Sequence, residues 1–137
     1  MPVTVVVGGQ FGSEGKGKVA LFLAGEEGVA AVVRVGGTNS GHTGVGRDGR
    51  TYALKQLPAS ALAEQALVVL PAGSLIGIDL FLEEVELLGL DSNRVKVDPK
   101  ATFILPDDKA EEETTGLVSR IGSTGSGTGA ALARRIS

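Results

Sequence analysis

The stretch Val3-Thr4-Val5-Val6-Val7-Gly8-Gly9-Gln10-Phe11-Gly12-Ser13-Glu14-Gly15-Lys16-Gly17-Lys18 decides the fold class. Its first five residues form a mostly β-branched run without alternation, which predicts a strand buried on both faces. Glycines follow, and Lys16–Ala24 then predicts a helix that ends at Gly25. A buried strand, a glycine-rich turn and a helix in this order are typical of an α/β fold.

The glycine-rich turn also has the features of a phosphate-binding loop. From Gly12 it fits the pattern G-x-x-x-x-G-K, although Val19 stands where Ser or Thr normally helps to hold magnesium. Backbone N–H groups in such a loop converge on phosphate oxygens, and the helix N-terminus adds positive potential. Lys16 and Lys18 add cationic charge. The alternative is an ordinary glycine turn with two solvated lysines, but the position after the first strand favours phosphate binding.

The rest of the chain alternates between predicted strands and helices. The strands are predicted at Val29–Val35, Ala66–Leu70, Arg94–Val97 and Ala101–Leu105, with a hairpin turn at Asp48–Gly49. One helix is predicted from an Asp79 N-cap to Leu88, with Gly89 as its stop and an apolar stripe of Leu80, Leu82, Val85, Leu87 and Leu88. Further helices are predicted at Asp107–Glu113, continued by Leu117–Ile121, and at Ala130–Ile136. The acidic stretch Asp107–Glu113 is expected to be a solvated helix start with no role in the chemistry. This alternation predicts a mainly parallel sheet with flanking helices.

Composition excludes several classes of protein. The 137 residues suit one domain, and 42% hydrophobic with 21% charged residues indicates a globular chain. A net charge of −3 argues against a generally basic nucleic-acid surface. The absence of cysteine excludes disulfides and thiolate metal sites. No apolar run reaches the ~18 residues that a membrane span needs, so we expect a cytoplasmic protein with no membrane or nucleic-acid partner.

A second glycine-rich segment, Gly36–Thr43, contains His42, the only histidine. A lone histidine is more often structural than catalytic. This one follows a predicted strand among glycines, where α/β sheets place their ligands. An imidazolium there can donate a proton or a hydrogen bond to charge that grows on a transferring phosphoryl group.

A third glycine-rich segment, Gly122–Gly129, reads Gly-Ser-Thr-Gly-Ser-Gly-Thr-Gly. A flexible linker has a similar composition. A linker seldom leads straight into a helix, and hydroxyls beside glycines also suit a second phosphate. The segment alone leaves both interpretations open.

Together the three segments resemble the adenylosuccinate synthetase family. The family forms are G-x-Q-W-G-D-E-G-K-G-K, G-G-x-N-A-G-H-T and G-T-T-G-x-G-x-G, which stand here in the same order as Gly8–Lys18, Gly36–Thr43 and Gly122–Gly129. The resemblance implies a P-loop-NTPase-like α/β fold and a homodimer. Residues 1–137 are then expected to form the N-terminal part of such a domain, as a fragment of a longer chain, since the sequence ends inside a predicted helix.

The resemblance also implies a reaction, that of a carbon–nitrogen ligase of purine biosynthesis. ATP or GTP phosphorylates O6 of a purine nucleotide, and L-aspartate then displaces the phosphate with Mg²⁺ as cofactor. The catalytic residues would be Ser13 and His42. The nucleoside triphosphate would contact Gly12, Ser13, Glu14, Gly15, Lys16, Gly17, Lys18, Gly41, His42 and Thr43. The purine nucleotide would contact Ser13, Asn39, Ser40, Gly41, His42, Ser123 and Thr124. The protein ligands of the metal would be Ser13 and Gly41.

One departure from the family pattern bears on the substrate. Ser13 stands where the family has an aspartate that removes the N1 proton of IMP, and a hydroxyl is a far weaker base. The phage-type branch that uses dGMP for diaminopurine synthesis also lacks that aspartate, and the smaller side chain leaves room for a 2-amino group. We therefore expect dGMP ahead of IMP. The alternatives are an ordinary enzyme that uses IMP and GTP, a non-catalytic nucleotide-binding fragment, and a generic phosphate-loop NTPase, which Val19 disfavours.

Overall fold

A computed structural model of the chain describes residues 2–10, 12, 14–26, 28–116, 119 and 122–137. The helices are α1 (Lys16–Ala24), α2 (Ile78–Leu87), α3 (Pro106–Thr114) and α4 (Thr128–Ile136), and a 3₁₀ helix covers Ala59–Leu62. The strands are β1 (Ala31–Val33), β2 (His42–Val45), β3 (Thr51–Leu54), β4 (Leu67–Leu70), β5 (Leu75–Ile76), β6 (Val95–Val97) and β7 (Thr102–Phe103).

The sheets confirm the predicted α/β class. Strands β1, β4 and β6 pair in parallel in that order, with Val32 beside Val68 and Val69 beside Lys96. Strands β5 and β7 form a second parallel pair, and β2 and β3 form an antiparallel hairpin. The hairpin turn lies at Asp48–Gly49 as predicted, where the Asp48 carboxylate accepts the Arg50 N–H. Parallel strands with flanking helices therefore dominate the described chain.

The core lies between the parallel sheet, the end of the hairpin and helix α2. Its fully buried side chains include Leu54, Leu57, Val68, Leu70 and Ile76. Helix α2 covers this cluster with Phe81, Val85 and Leu88, which share one face at helical spacing.

Two details of the predicted α2 were wrong. Leu82 and Leu87 were predicted in the apolar stripe, but both are more than half exposed because they lie off the face of Phe81 and Val85. The helix begins after Gly77, so Asp79 lies in the first turn and is not the N-cap. An acidic residue in the first turn still favours the helix through the macrodipole.

The predicted first strand is also wrong. Residues 3–7 form no strand, and Val3, Val5 and Val7 are 86%, 74% and 78% exposed. A β-branched run favours an extended backbone, but a strand needs a neighbour to satisfy its N–H and C=O groups. No described strand pairs with this run. Strand β1 is shorter than the predicted Val29–Val35. It is an edge strand that pairs only with β4 among the described strands, and Val33 and the following Val35 are exposed.

The remaining predicted elements are confirmed with shifts of one to three residues at their ends. Helix α1 ends at Gly25 as predicted, and α3 and α4 contain the predicted acidic and C-terminal helices. The predicted continuation Leu117–Ile121 lies outside the described residues apart from Ser119. Within the described ranges, no helix combines the length and the apolar character needed to cross a membrane.

Candidate functional site

The first glycine-rich loop ends at an open helix N-terminus. Gly15 precedes α1 with φ 76°, a left-handed conformation that favours glycine. The amides of Lys18 and Val19 donate to the Gly15 carbonyl. Across the described part of this loop, no side chain accepts a hydrogen bond from the first amides of α1. The exposed N–H groups and the helix dipole therefore remain available for an anion such as phosphate.

Lys16 is held at the surface of this loop by Glu14. The Glu14 carboxylate accepts from the Lys16 ammonium and, at 2.9 Å, from the Gln10 N–H. The hydrogen bond from Lys16 is the main reason that the pKa of Glu14 falls to about 2. Both side chains fold over Gly8, where a Cβ would lie 2.6 Å from each. The Lys16 ammonium thus lies beside a Glu14 carboxylate that stays ionised at every physiological pH.

His42 lies directly against the start of α1. It is the first residue of β2, and a Cβ on Gly17 would lie 3.2 Å from its Cβ and 3.4 Å from its Nδ1. Its Nε2 is buried and has no hydrogen-bond partner among the described residues. Burial, and secondarily the charge of Arg34, lower the pKa of His42, so the ring is neutral at pH 7. A neutral imidazole whose buried Nε2 has no partner among the described residues is suited to hydrogen-bond a bound ligand.

The second and third glycine-rich loops line one cavity of about 430 Å³. Its wall consists of Thr38, Asn39, Gly41, Lys55, Leu80, Lys109, Thr124, Gly125 and Ser126. The structure thus brings Asn39, Gly41 and Thr124 together, as the resemblance implies. Among the described residues, no carboxylate lines the cavity, whereas two lysines do, so the wall is suited to an anionic polar ligand.

Three predicted contacts of the purine nucleotide do not lie on that wall: His42, whose position is described above, and two serines. The Ser40 carbonyl and hydroxyl face the Arg34 guanidinium at 3.3 and 3.4 Å. The Ser123 hydroxyl accepts the Gly125 N–H at 3.3 Å. Both residues shape the loops whose neighbours reach the cavity. Ser13, predicted for four roles, lies outside the described residues, as does Phe11.

The third loop enters α4 through a helix end that is already occupied. The buried Glu112 carboxylate of α3 accepts the N–H groups of Gly127 at 2.9 Å, Gly129 at 2.7 Å and Ala130 at 3.4 Å. Because Glu112 already accepts these N–H groups, this helix end is not free to bind a phosphate. The groups of the third loop that remain for the cavity are its hydroxyls. Thr124 donates to Ser126, whose hydroxyl is 2.8 Å from that of Thr128.

The acidic helix start is not the solvated segment that the sequence suggested. Asp108 and Glu112 of α3 are each only 3% exposed. Arg134 of α4 donates to both oxygens of Asp108, and this hydrogen bonding lowers the pKa of the carboxyl group. The spacing of four residues puts the two acids on the face of α3 that packs against α4. Glu112 fixes the third loop in place, and Asp108 ties α3 to α4.

Sequence reasoning missed four charged residues around the site. Arg34 and Glu84 are buried behind the second loop, while Lys55 and Lys109 are exposed on the cavity wall. A signal existed for the buried pair, because Arg34 interrupts an apolar run and Glu84 lies at helical spacing on the core face of α2. No comparable signal marks the two lysines, since the cavity that they line is formed by segments far apart in sequence.

The donor set for a divalent cation is sparse. Within the described ranges, no three His, Cys, Asp or Glu side chains group as a metal site. The nearby Glu14 carboxylate is engaged by Lys16. The predicted ligands, the Gly41 carbonyl and Ser13, supply neutral oxygens. Such a set fits Mg²⁺ that arrives on nucleotide phosphates and keeps several waters, as this ion commonly does.

Comparisons with known proteins agree on one family. The sequence model described as adenylosuccinate synthetase matches residues 5–137. The adenylosuccinate synthetase of Thermococcus sibiricus is 41% identical over 140 residues, which cover 98% of this chain and 41% of that protein. This chain therefore spans about two fifths of the length of that relative.

Two solved structures share the fold. The succinoaminodeoxyadenylate synthetase of cyanophage S-2L, bound to dGMP and to dATP as an energy donor, superposes with a TM-score of 0.75 at 35% identity. The match covers 93% of this chain and 36% of the phage protein. The fully ligated adenylosuccinate synthetase of Plasmodium falciparum gives a TM-score of 0.77 at 32% identity, covering 93% of this chain and 32% of that one. The predicted family and its P-loop-like fold are confirmed.

Proposed function

The chain belongs to the adenylosuccinate synthetase family, and on that premise we propose that it binds both nucleotides of a ligase that joins L-aspartate to C6 of a purine nucleotide. In the first step, the γ-phosphoryl group of ATP or GTP passes to O6, ADP or GDP leaves, and the N1 proton is released to water. In the second, the aspartate amino group attacks C6 and phosphate leaves. Phosphorylation thus turns a poor leaving group, an amide-like oxygen, into a good one. We place this reaction in the cytoplasm, of the host cell if the source is viral, and in a homodimer.

The observation that carries the proposal is the position of His42. Its ring contacts Gly17 at the open start of α1, and its buried Nε2 has no partner among the described residues. A triphosphate bound at that helix end brings its phosphates to the imidazole. The same segment continues back to Asn39 and Gly41 on the cavity wall. The imidazole is therefore well placed between a donor and an acceptor nucleotide.

The donor side rests on the first loop. The amides that begin α1, together with Lys16 and Lys18, would hold the triphosphate, with Gly12, Glu14 and Gly15 shaping the loop. Gly41, His42 and Thr43 would contact the donor from the facing side. Mg²⁺ would be held by the Gly41 carbonyl, Ser13 and phosphate oxygens, and when bound it would neutralise charge on the transferring group.

The acceptor side rests on the cavity. Asn39 and Thr124 would hold the monophosphate nucleotide, with Gly41, Ser40 and Ser123 supporting those contacts. Lys55 and Lys109 add positive charge to a wall whose described residues include no carboxylate, which favours a phosphate dianion. The neutral His42 would donate a hydrogen bond to the oxygen where negative charge grows, because a preorganised donor stabilises that charge without reorganisation.

We propose dGMP as the acceptor ahead of IMP. Ser13 supports this choice, because a small neutral side chain leaves space beside N1 for a 2-amino group. The phage relative that superposes with a TM-score of 0.75 was solved with dGMP. An ordinary enzyme that uses IMP is the second candidate, supported by the TM-score of 0.77 with the P. falciparum protein and by the names of the curated relatives.

The direct test supplies the chain with L-aspartate, Mg²⁺ and either ATP or GTP, together with dGMP or IMP, and detects succinylated product by mass. Product from dGMP is expected, and Ser13→Asp is expected to reduce it. Product from IMP alone would overturn the choice of dGMP. Nucleotide binding without product from either nucleotide would favour the non-catalytic alternative, and no binding of either would refute the proposal.

A further inference from the structure

We propose that the buried pair Arg34 and Glu84 positions the second glycine-rich loop for its nucleotide, so that Arg34 is a positioning residue for binding at the cavity. Neither residue lines the cavity itself. The identity of the ligand rests on the proposed function, but the loop-holding role does not. The tests below separate the two.

Arg34 ties two distant segments together. One guanidinium nitrogen, Nη2, donates to the Gly37 carbonyl at 2.9 Å and to the Ser40 carbonyl at 3.3 Å. The other, Nη1, donates to the carbonyls of Lys55 and Gln56. The residue is 8% exposed, and burial lowers its pKa to about 10 against the opposing charge of Glu84, so it is a cation at neutral pH. A planar fork of donors is what allows one side chain to serve four carbonyls.

Glu84 holds the second of these segments from the other side. Its carboxylate accepts the N–H groups of Lys55 at 2.6 Å, Gln56 at 3.1 Å and Leu57 at 2.6 Å. Two successive peptide groups therefore point their oxygens at a cation and their N–H groups at an anion. Charge-assisted bonds of this kind are shorter and stronger than neutral ones, and low surrounding polarity reinforces them.

The consequence concerns the residues between the anchors. Asn39 lies between Gly37 and Ser40, whose carbonyls both accept from Nη2 of Arg34. The backbone of Lys55 is hydrogen-bonded to both Arg34 and Glu84. Both side chains reach the same cavity. A loop that is ordered before binding loses less conformational freedom when the ligand arrives, which strengthens binding. A merely structural role for Arg34 would lower stability and leave nucleotide affinity unchanged.

The chain offers a matched control in Arg94. Its guanidinium also donates to backbone carbonyls far away in sequence, Ala63 at 2.9 Å and Ala66 at 3.3 Å, but it does not line the site cavity. Arg34→Lys keeps the charge and loses the fork. We expect this variant to bind dGMP or IMP, whichever the parent binds, at least tenfold more weakly, and Arg94→Lys to stay within twofold of the parent. Equal affinities for Arg34→Lys and the parent would overturn the proposal.

Amide hydrogen exchange tests the same idea without a ligand. In Arg34→Lys, exchange at residues 55–57, whose amides donate to Glu84, is expected to rise at least tenfold relative to Val68, which reports global opening from the central strand β4. Glu84→Gln, which keeps the shape of the side chain, is expected to speed exchange at 55–57 and serves if Arg34→Lys does not fold. Unchanged relative exchange in this segment would overturn the proposal. If the parent binds no purine nucleotide while the variants show these exchange changes, the proposed function is refuted and the loop-holding role of Arg34 stands.

Discussion

The N-termini of α1 and α4 look alike in sequence and differ in what occupies them. Each helix follows a glycine-rich loop, and each loop ends in a left-handed glycine, Gly15 with φ 76° and Gly127 with φ 75°. At α4 the Glu112 carboxylate accepts three amides. At α1 no described side chain does so, and Lys16 lies beside the opening. A glycine-rich loop before a helix is thus an anion site only where the chain has not supplied the anion itself.

The difference extends to how the loops are held. The second and third loops are fixed by buried charges, Arg34 and Glu84 for one and Glu112 for the other. The only ion pair among the described residues of the first loop, Glu14 with Lys16, is partly exposed, since 39% of the Lys16 side chain is accessible. The two preorganised loops would form a fixed acceptor cavity, whereas the first loop would settle around the donor phosphates.

The largest expected effect is on stability and comes from removing the Glu112 carboxylate from the N-terminus of α4. Glu112→Ala leaves three amides without their acceptor, two of them in the buried residues Gly127 and Ala130, and should lower the free energy of unfolding by about 3 kcal/mol. Added inorganic phosphate should then raise the melting temperature of the variant more than that of the parent, because the opened helix end now resembles α1. Thermal unfolding with and without phosphate measures both effects.

Glu113→Ala is the control for that variant, since it removes an exposed carboxylate from the same helix. Its stability should change by less than about 0.5 kcal/mol, and phosphate should raise its melting temperature no more than that of the parent. If Glu112→Ala also gained nothing from phosphate, the contrast between the two helix ends would lose its physical basis.

The next effect sharpens the α1 side of the comparison. Lys16→Met removes the cation beside the open helix end and should weaken binding of a nucleoside triphosphate about 30-fold, which corresponds to about 2 kcal/mol for a charge-assisted contact. Titration calorimetry with ATP and GTP measures this loss. The exposed Lys100→Met should bind like the parent, and equal losses in the two variants would reduce Lys16 to a general charge effect.

A smaller effect concerns the imidazole between the loops. Because burial lowers the pKa of His42, the unfolded chain binds more protons than the folded one between the folded pKa and the unfolded value of about 6.5. Stability should therefore rise with pH across that window, level off above it, and be lost as the pH falls through the folded pKa. His42→Phe should flatten this part of the profile, which pH-dependent unfolding by denaturant measures.

The same residue reports on ligand binding. With a single histidine in the chain, one imidazole proton signal gives its pKa by NMR. The pKa should lie below its ordinary value in the free protein and rise when a triphosphate binds, because a nearby anion favours the imidazolium. If the pKa of His42 does not change when the triphosphate binds, His42 is not part of the donor site.

The smallest effect tests the corrected N-terminal segment. Val5→Thr changes an exposed side chain outside any sheet and should alter stability by less than about 0.5 kcal/mol. Val68→Thr, which puts a hydroxyl into the fully buried part of β4, should cost about 2 kcal/mol. Equal costs at the two positions would show that residues 3–7 are packed as a strand after all.

Much of the fold could be predicted from sequence because it rests on local signals. Residue types within a few positions of each other are enough to predict the glycine stop of α1, the Asp48–Gly49 turn and the apolar run of β4. The strand expected at Val3–Val7 failed because pairing depends on a partner strand that a propensity does not supply. The site was predictable as three loops, and the structure brings parts of them together at Gly17, His42, Asn39 and Thr124.

The anchors of the loops could not be predicted in the same way. Arg34 and Glu84 serve carbonyls and amides 3 to 29 positions away in the chain. Glu112 looked like one more member of a solvated acidic run, and only the packing of α3 on α4 shows its role. Long-range polar contacts of this kind follow from the tertiary arrangement, which no local pattern encodes.

The most direct test of a nucleotide site shared by the second and third loops is a titration of the isotope-labelled chain with dGMP, and in parallel with IMP, followed by amide NMR. We expect the signals of Thr38–Gly41, Thr124–Ser126 and His42 to move together with one common dissociation constant. Shifts confined to other parts of the chain, or different constants for the second and third loops, would contradict the claim that these loops form one nucleotide site.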